Sequence, residues 1–575
     1  MIVLGFHYNA MNVDIQNLSH FKKPFPLSLG SPVSKIEHRS TKLTSLLMGK
    51  LTKLVWCLTA IGIVTPVLAL DTSISEEGIF ADRLQNEPLY LTGRKIAIGQ
   101  VEIGRPIKYG FDKVAAWQPP YTLSGLFYRD ELAKANTYID NHAAMVASVM
   151  ISQDKRLKGV APDARLYSGA VGSLKKGGQP EECLTSQHIA SQNSGDVRAI
   201  NFSFGESLQR DPRENAKLDG NALLTQCIDW SSRVHDVLYV IAGNQGKGGI
   251  PIPTDHYNGI TAAYTAKRQG QYKKVDFANL SGLPVGIGRS LIKKEINQGS
   301  RRAIGLVAPG NKISVYDMKG KVVEVSGTSF ATPHITATVA LLQEYGDRQI
   351  RLFTPNWTTD ARRHQVMKAI LLNSADKIQD SGDGLLLGMN RTTLNKHNQT
   401  WLESDAYLSP KIPLDIEMGS GHLNAWRAYQ QFSASQQSPN TPVTALGWDY
   451  QTVEMNGHRD YILAQPLLEK SFVSITLAWD RVVELNDANL NQQYDIGETF
   501  RDRGLNNLDV YLMSANQDDN TKYACASLSD TDSIEHIFCQ VPKSGKYKIR
   551  VQYRQRMNDA DQSYALAWWT VPQKQ

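Results

Sequence analysis

The stretch Val325-Ser326-Gly327-Thr328-Ser329-Phe330-Ala331-Thr332-Pro333-His334 decides the reading of this chain. It follows a β-branched run from Lys321 to Val325. It opens a helical pattern in which Ala331, Ile335, Val339 and Leu342 recur on one face. Gly327 permits a sharp strand-to-helix turn that a residue with a side chain resists. Pro333 is expected in the first helical turn or so, where a missing N–H costs little. Ser329 then sits near a helix N-terminus, where free N–H groups and the helix dipole favour negative charge. An attacking serine needs that setting, because its tetrahedral intermediate carries an oxyanion. By spacing alone, the stretch is a capped core helix.

The whole string resembles the nucleophile motif Gly-Thr-Ser-x-Ala-x-Pro-His of subtilisin-like serine peptidases, matched at every fixed residue. The resemblance implies an α/β, three-layer domain with a mostly parallel sheet and Ser329 as nucleophile. Upstream, Lys95 to Gly104 reads as a buried strand ending in a Gly turn. Glu102 and Gly104 stand where the family has its catalytic acid and, after one residue, Gly. The family has Asp there, so Glu102 is a departure. Its extra methylene requires the strand or the imidazole ring to shift. Taken alone, Glu102 reads equally as a strand-end surface carboxylate.

Asp140-Asn141-His142-Ala143-Ala144-Met145-Val146-Ala147 resembles the family's His-Gly-Thr-x-Val-Ala motif, with alanines in place of Gly and Thr. That makes His142 the general base. Asp140, two residues away on the same loop, is poorly placed to reach the ring's far nitrogen. Gly159-Val160-Ala161-Pro162 and Val307-Ala308-Pro309-Gly310 match family turns. Val197 to Gly205 is a strand ending in Ser-x-Gly, and the resemblance makes Ser203, Phe204 and Gly205 an edge that pairs with extended substrate. Val237 to Gly246 contains Ala242-Gly243-Asn244. It implies Asn244 as the oxyanion donor, with Ala242 and Gly243 beside the peptide. A lone Gly-Asn would be an ordinary turn. Helices are expected over Asn221 to Val234 and Arg363 to Lys377. The stretch Pro284 to Arg302 reads as an exposed basic insertion. Gly419 to Ala425 resembles the family's closing Gly-x-Gly-x-x-Asn-Ala element. The order acid, base, amide, nucleophile is the subtilisin one.

At 575 residues the chain exceeds one core. The peptidase domain is placed at 70–432. Ser, Gln, Asn and Pro between Phe432 and Pro442 mark a linker, set at 433–444. Residues 445–575 hold short alternating runs, among them Arg459–Ala464, Ser471–Trp479, Leu508–Met513, Ile534–Val541, Lys546–Tyr553 and Ser563–Trp569. They are expected to form an all-β, jelly-roll-like sandwich.

The net charge of +6 is misleading. Residues 1–69 carry five of those charges, so the remainder gives no reason to expect nucleic acid. Residues 48–69 read as a signal peptide: Lys50 and Lys53 precede an apolar run from Leu54 to Leu68, with Val67 and Ala69 at a cleavage site. A membrane anchor is the other reading, but the run is short and Pro66 interrupts it. Met48 then reads as the start of translation, and residues 1–47 as a mis-assigned or disordered extension. The expected location is secreted or periplasmic. After signal removal, Cys183, Cys227, Cys525 and Cys539 remain. One bridge per domain pairs Cys183 with Cys227 and Cys525 with Cys539, although the first pair also reads as buried free thiols.

The chemistry implied needs no metal. Asp487, Asn489, Asn491, Asp495 and Glu498 match positions 1, 3, 5, 9 and 12 of a calcium loop, with Gln492 where Gly belongs; they read otherwise as a polar loop. Polypeptide substrates and a monomer are expected. Two rival readings use the same residues. One is a non-catalytic secreted binding protein on a peptidase scaffold, motivated by Glu102. The other is an acid peptidase of the sedolisin type, which also has a Gly-Thr-Ser nucleophile but not His142 ahead of Val-Ala.

Overall fold

The computed structural model describes residues 70–172, 178–243, 252–268, 270–275 and 301–573. The proposed extension and signal, residues 1–69, lie outside these, as does the basic insertion up to residue 300.

Strands β1 (Ala97–Glu102), β2 (Leu123–Tyr128), β3 (Glu131–Leu132), β4 (Arg165–Ala170), β5 (Val197–Phe202), β6 (Leu238–Ala242), β7 (Ile260–Arg268), β8 (Gln271–Val275) and β9 (Ile304–Pro309) belong to one sheet. A hairpin of β10 (Ile313–Tyr316) and β11 (Val322–Val325) leads to the Ser329 helix, and β12 (Thr393–Leu394) completes the sheet. The order is β12-β8-β7-β6-β5-β1-β4-β2-β3, with β9 on β7. All pairs at its centre are parallel. Their strands are buried runs because both faces are covered. Ile98, Leu166, Ala199 and Val240 face a core shared with Val146 and Val149 of the helix Asn141–Ile151, and with Ile335 and Val339 of the helix Thr328–Arg351. Val101, Ile200, Phe202 and Ile241 face the helices Gln179–Ala190 and Leu223–His235. Cys183 and Cys227 are bonded between those two helices.

Residues 70–93 carry no periodicity, yet they pack deeply. Ile74, Ile79, Phe80, Leu84 and Leu91 are all buried. Glu344 accepts from the backbone N–H groups of Thr92 and Gly93 at 2.7 and 2.8 Å. The helices here, Leu70–Ile74 and Asp82–Gln85, are too short to write a helical period into the sequence.

The C-terminal strands are β13 (Leu446–Glu454), β14 (His458–Ile462), β15 (Phe472–Trp479), β16 (Val483–Asn486), β17 (Thr499–Asp502), β18 (Asn507–Ser514), β19 (Cys525–Ser527), β20 (Ile534–Gln540), β21 (Tyr547–Gln555) and β22 (Asp561–Trp569). Sheets β13-β22-β15-β20 and β14-β21-β18-β19 are antiparallel and enclose Tyr461, Ile475, Leu477, Val510, Ile549 and Leu566. Cys525 and Cys539 are bonded within this sandwich. Between Ser433 and Thr444 the chain is tethered: the Gln437 N–H donates to the Trp448 carbonyl at 2.9 Å. The described residues between 70 and 573 form one compact unit.

The sandwich meets the parallel sheet domain through buried charge. Arg481 pairs with Asp229 at 3.3 Å and donates to the Gly220 carbonyl at 2.7 Å. His364 bridges Asp236, at the end of the helix Leu223–His235, and Asp480, just after β15, at 2.8 and 3.1 Å. Burial disfavours its imidazolium, but the two carboxylates more than offset this and raise its pKa to about 9. The folded pKa lies above the unfolded value of about 6.5. The stabilisation is therefore full below pH ~6.5 and is lost as pH rises through about 9. His364→Ala is expected to cost about 3 kcal/mol near pH 6, because it strands the buried Asp480 carboxylate and the half-buried Asp236. In melting curves, the Tm gap between wild type and variant should narrow by about pH 10, and a gap independent of pH would refute the charge on His364.

Candidate active site

Parallel strands end together, and a crevice opens where neighbours of one strand depart to opposite sides of the sheet. β1 has β4 on one side and β5 on the other. Glu102 is the last residue of β1. Ser203-Phe204-Gly205 follow β5, and Ala242-Gly243 close and follow β6. Asn244 lies outside the described residues.

Gly104 follows from close approach: a Cβ there would lie 2.4 Å from the Asp140 Cβ. The chain leaving β1 thus runs against the loop before His142. Asp140 caps the His142 helix, its Oδ2 accepting from the Ala143 N–H at 3.1 Å. That fixes His142 as the second residue of the helix, in its first turn, with its Nδ1 3.2 Å from Glu102 Oε2. The carboxylate that meets the ring is therefore Glu102. Its side chain is 2% exposed against 35% for His142. The surface-carboxylate alternative does not fit this burial.

Burial raises the Glu102 pKa, with His142 opposing the rise. Burial likewise disfavours the His142 cation, but Glu102 outweighs it and the imidazole pKa is raised. Asp140 adds a smaller push in the same direction. The ring is thus held toward imidazolium, while Glu102 stays above its ordinary carboxylate range despite the ring beside it.

Ser329 is the second residue of its helix, after Gly327 at φ 147°. Its Oγ donates to the Ser203 carbonyl at 3.2 Å, and Ser203 Oγ donates back to the Ser329 carbonyl at 3.0 Å. The neighbouring Phe330 ring lies 5.6 Å from the His142 ring. Among the described residues Ser329 Oγ is turned to Ser203 and not to His142, so proton transfer requires a side-chain rotation. Catalytic hydrogen bonds commonly tighten only with substrate bound.

Pro333 differs from expectation: it lies inside the helix, in the second turn. Its missing N–H leaves the Ser329 carbonyl, four residues back, without a helical partner. Ser203 Oγ fills that position. Thr328 Oγ1 donates to the Gly243 carbonyl at 2.9 Å, tying the helix start to the β6 end as well. Motif reading missed Ser73, which meets His334 Nε2 at 2.8 Å, and Asn201, whose amide donates to Ser203 Oγ at 2.9 Å. Only the polar residue type inside an apolar strand could have flagged Asn201. Arg301, assigned to an exposed insertion, is half-buried and bonds the Asp255 and His256 carbonyls. Its guanidinium lies over the Tyr257 ring, which draws it inward.

The loop Asp487–Glu498 spends its polar groups on itself. Asp487 accepts from the Gln492 N–H at 2.7 Å, and Asn489 and Asn491 donate to Asp495 at 2.7 and 2.8 Å. Among the described residues no group of three or more His, Cys, Asp or Glu converges as for a metal ion. Nor is any helix long and apolar enough to cross a membrane.

Comparison with known proteins gives the following. Residues 126–392 match the model of the subtilase family, a span that includes His142 and Ser329 but begins after Glu102. A thermostable alkaline protease of Halalkalibacterium halodurans is 26% identical over 223 residues, covering 37% of this chain and 52% of that protein. The chain thus spans about half the length of that relative. Thermitase of Thermoactinomyces vulgaris is 22% identical over 241 residues, 42% of this chain and 68% of that one. Among solved structures, the prenylagaramide maturation protease PagA is 19% identical, with 62% of this chain and 99% of that one covered and a TM-score of 0.39.

The electrostatics of the pair are measurable directly. The His142 ring should titrate above about 6.5 in an NMR pH series. Glu102→Gln should lower that midpoint, because the main force opposing burial is removed. A midpoint that stays put would mean the 3.2 Å contact carries no electrostatic weight.

Proposed function

We propose that this chain, a member of the subtilase family, is a secreted serine endopeptidase that hydrolyses polypeptides through an acyl-enzyme. The observation that carries the reading is the buried Glu102 against His142, in one crevice with Ser329 at a helix N-terminus.

In this mechanism Ser329 Oγ rotates from the Ser203 carbonyl and attacks the peptide carbonyl carbon. His142 Nε2 takes the hydroxyl proton and passes it to the leaving amine. Glu102 holds the ring through Nδ1–H and stabilises the transient imidazolium. The oxyanion is met by the Ser329 backbone N–H at the helix mouth and by the Asn244 amide. Water then attacks the acyl-enzyme with His142 as base. The extended substrate pairs with backbone near Ser203, Phe204, Gly205, Ala242 and Gly243, which gives affinity without strong side-chain choice.

The signal-like 48–69 segment and the Cys183–Cys227 and Cys525–Cys539 bridges support export to an oxidising compartment. The low charge of residues 70–575 supports a protein that acts without nucleic acid, and we read it as a monomer. The chemistry uses no metal. Calcium at Asp487–Glu498 would be structural, and a Tm raised by calcium and reversed by chelator would establish it.

One observation favours the rival reading of a peptide binder: the Ser329 hydroxyl is engaged with Ser203. A fluorophosphonate probe separates the two. An enzyme should be labelled at Ser329, and Ser329→Ala should lose both label and hydrolysis, by at least ~10³ in kcat. Asn244→Ala should lower kcat by ~10²–10³ with label retained more slowly. Folded protein that resists the probe would leave only the binder. Full activity in His142→Ala at acid pH would instead favour the sedolisin-type chemistry.

A further inference from the structure

The sheet face beneath the Ser329 helix changes character just below the site. Leu166, Ile98 and Ala199 are register partners across β4, β1 and β5, and all are buried and apolar. Two residues along, the row is Ser168, Gln100 and Asn201, each fully buried. Two further along stand Ala170 and Glu102. A polar row inside an apolar layer costs several kcal/mol unless its groups are bonded.

The donors are used, and both lead to the site. Gln100 Nε2 donates to the Ala143 carbonyl at 2.9 Å, in the first turn of the His142 helix. Asn201 Nδ2 donates to Ser203 Oγ, which holds the Ser329 carbonyl. The oxygens are not used. Gln100 Oε1, Asn201 Oδ1, Ser168 Oγ and Glu102 Oε1 are buried without a hydrogen-bond partner in the protein among the described residues. Three of the four can only accept, and Ser168 has one proton to give. Internal water is the donor that such clusters recruit. The Gln100 side chain also leans toward Glu102 and favours its charged form, but its N–H groups are aimed at the Ala143 carbonyl and none meets Glu102 Oε1 with full hydrogen-bond geometry.

We propose that Gln100 is a positioning residue for the Glu102–His142 pair. Its amide N–H ties the start of the His142 helix to β1. The row Ser168–Gln100–Asn201 is a buried water site that supplies the hydrogen bond the second Glu102 oxygen lacks. The inference rests on the reading of Glu102 and His142 as acid and base. A glutamate reaches further than an aspartate and swings more freely, so it needs its second oxygen held.

The test is a double-mutant cycle on the full chain with a chromogenic peptide anilide. Glu102→Ala alone tests the acid role: no loss there defeats the parent reading, whatever Gln100 does. Gln100→Met keeps the volume and removes both polar functions. It is expected to lower kcat about tenfold with KM unchanged, and to lower nothing further in the Glu102→Ala background. Ser168→Ala removes one oxygen and is the milder variant should Gln100→Met fail to fold. It is expected to lower kcat about threefold, again only with Glu102 present. Equal factors in both backgrounds, or a lowered Tm with kcat intact, would make the row mere packing and overturn the proposal.

Discussion

A carboxylate held at 2% exposure at the end of an apolar strand is the constraint on which the rest of this site depends. Left alone, Glu102 would take up a proton, since burial raises its pKa. It is worth keeping there only with a partner that can carry positive charge. His142 is that partner, and its placement requires several independent contacts. Asp140 must cap the helix, Gly104 must lack a side chain, and the β1 and β5 ends must lie side by side. The parallel sheet supplies the last of these. Strand ends and helix starts converge on one edge in this architecture, which brings carboxylate, ring and hydroxyl within one crevice.

How much of this was legible in the sequence depends on the range of the signal. Ala331, Ile335, Val339 and Leu342 announce the Ser329 helix because a long amphipathic helix writes its period into the chain. Gly327, Glu102 and His142 were legible from motif and order, and both disulfide pairings followed from dividing the chain in two. What could not be read are contacts made across long separations by residues of ordinary type. Ser73 against His334, Gln85 against the Gly159 carbonyl, and Asn201 beside Ser203 carry no local pattern. Pro333, expected in the first turn or so, stands at the sixth residue, just far enough in for its missing N–H to leave a helical carbonyl open.

The same limit explains why the sandwich's attachment was invisible. From sequence, residues 445–575 read as an accessory set beyond a polar linker. In the structure, Tyr494 and Phe500 of the β16–β17 excursion pack into the core that holds Cys227 and Trp230. Asn373, at the end of the helix His364–Asn373, accepts from Ser474 and Thr476 of β15. Buried ion pairs are weak sources of stability but strict about geometry, because a partner left alone is costly. Asp229–Arg481 and the His364 bridge therefore fix how the sandwich sits on the helices behind β5 and β6. Those are the strands whose ends bear Ser203 and Ala242.

Pro333 shows how a local defect becomes part of the site. A proline in the second turn of a helix removes one N–H and exposes one carbonyl, a cost an interior helix ordinarily avoids. Here the exposed carbonyl belongs to Ser329, and Ser203 Oγ takes the place of the missing donor. Ser203 in turn offers its own carbonyl to the Ser329 hydroxyl. The two serines are thus locked backbone to side chain in both directions, one on the helix and one at the β5 end. An ordinary helical N–H would have satisfied the carbonyl internally and left the helix start tied to the sheet by the Thr328 and Ser329 hydroxyls alone. The proline adds a third tie, from the Ser203 hydroxyl to the Ser329 carbonyl, and Asn201 holds that hydroxyl in place from below.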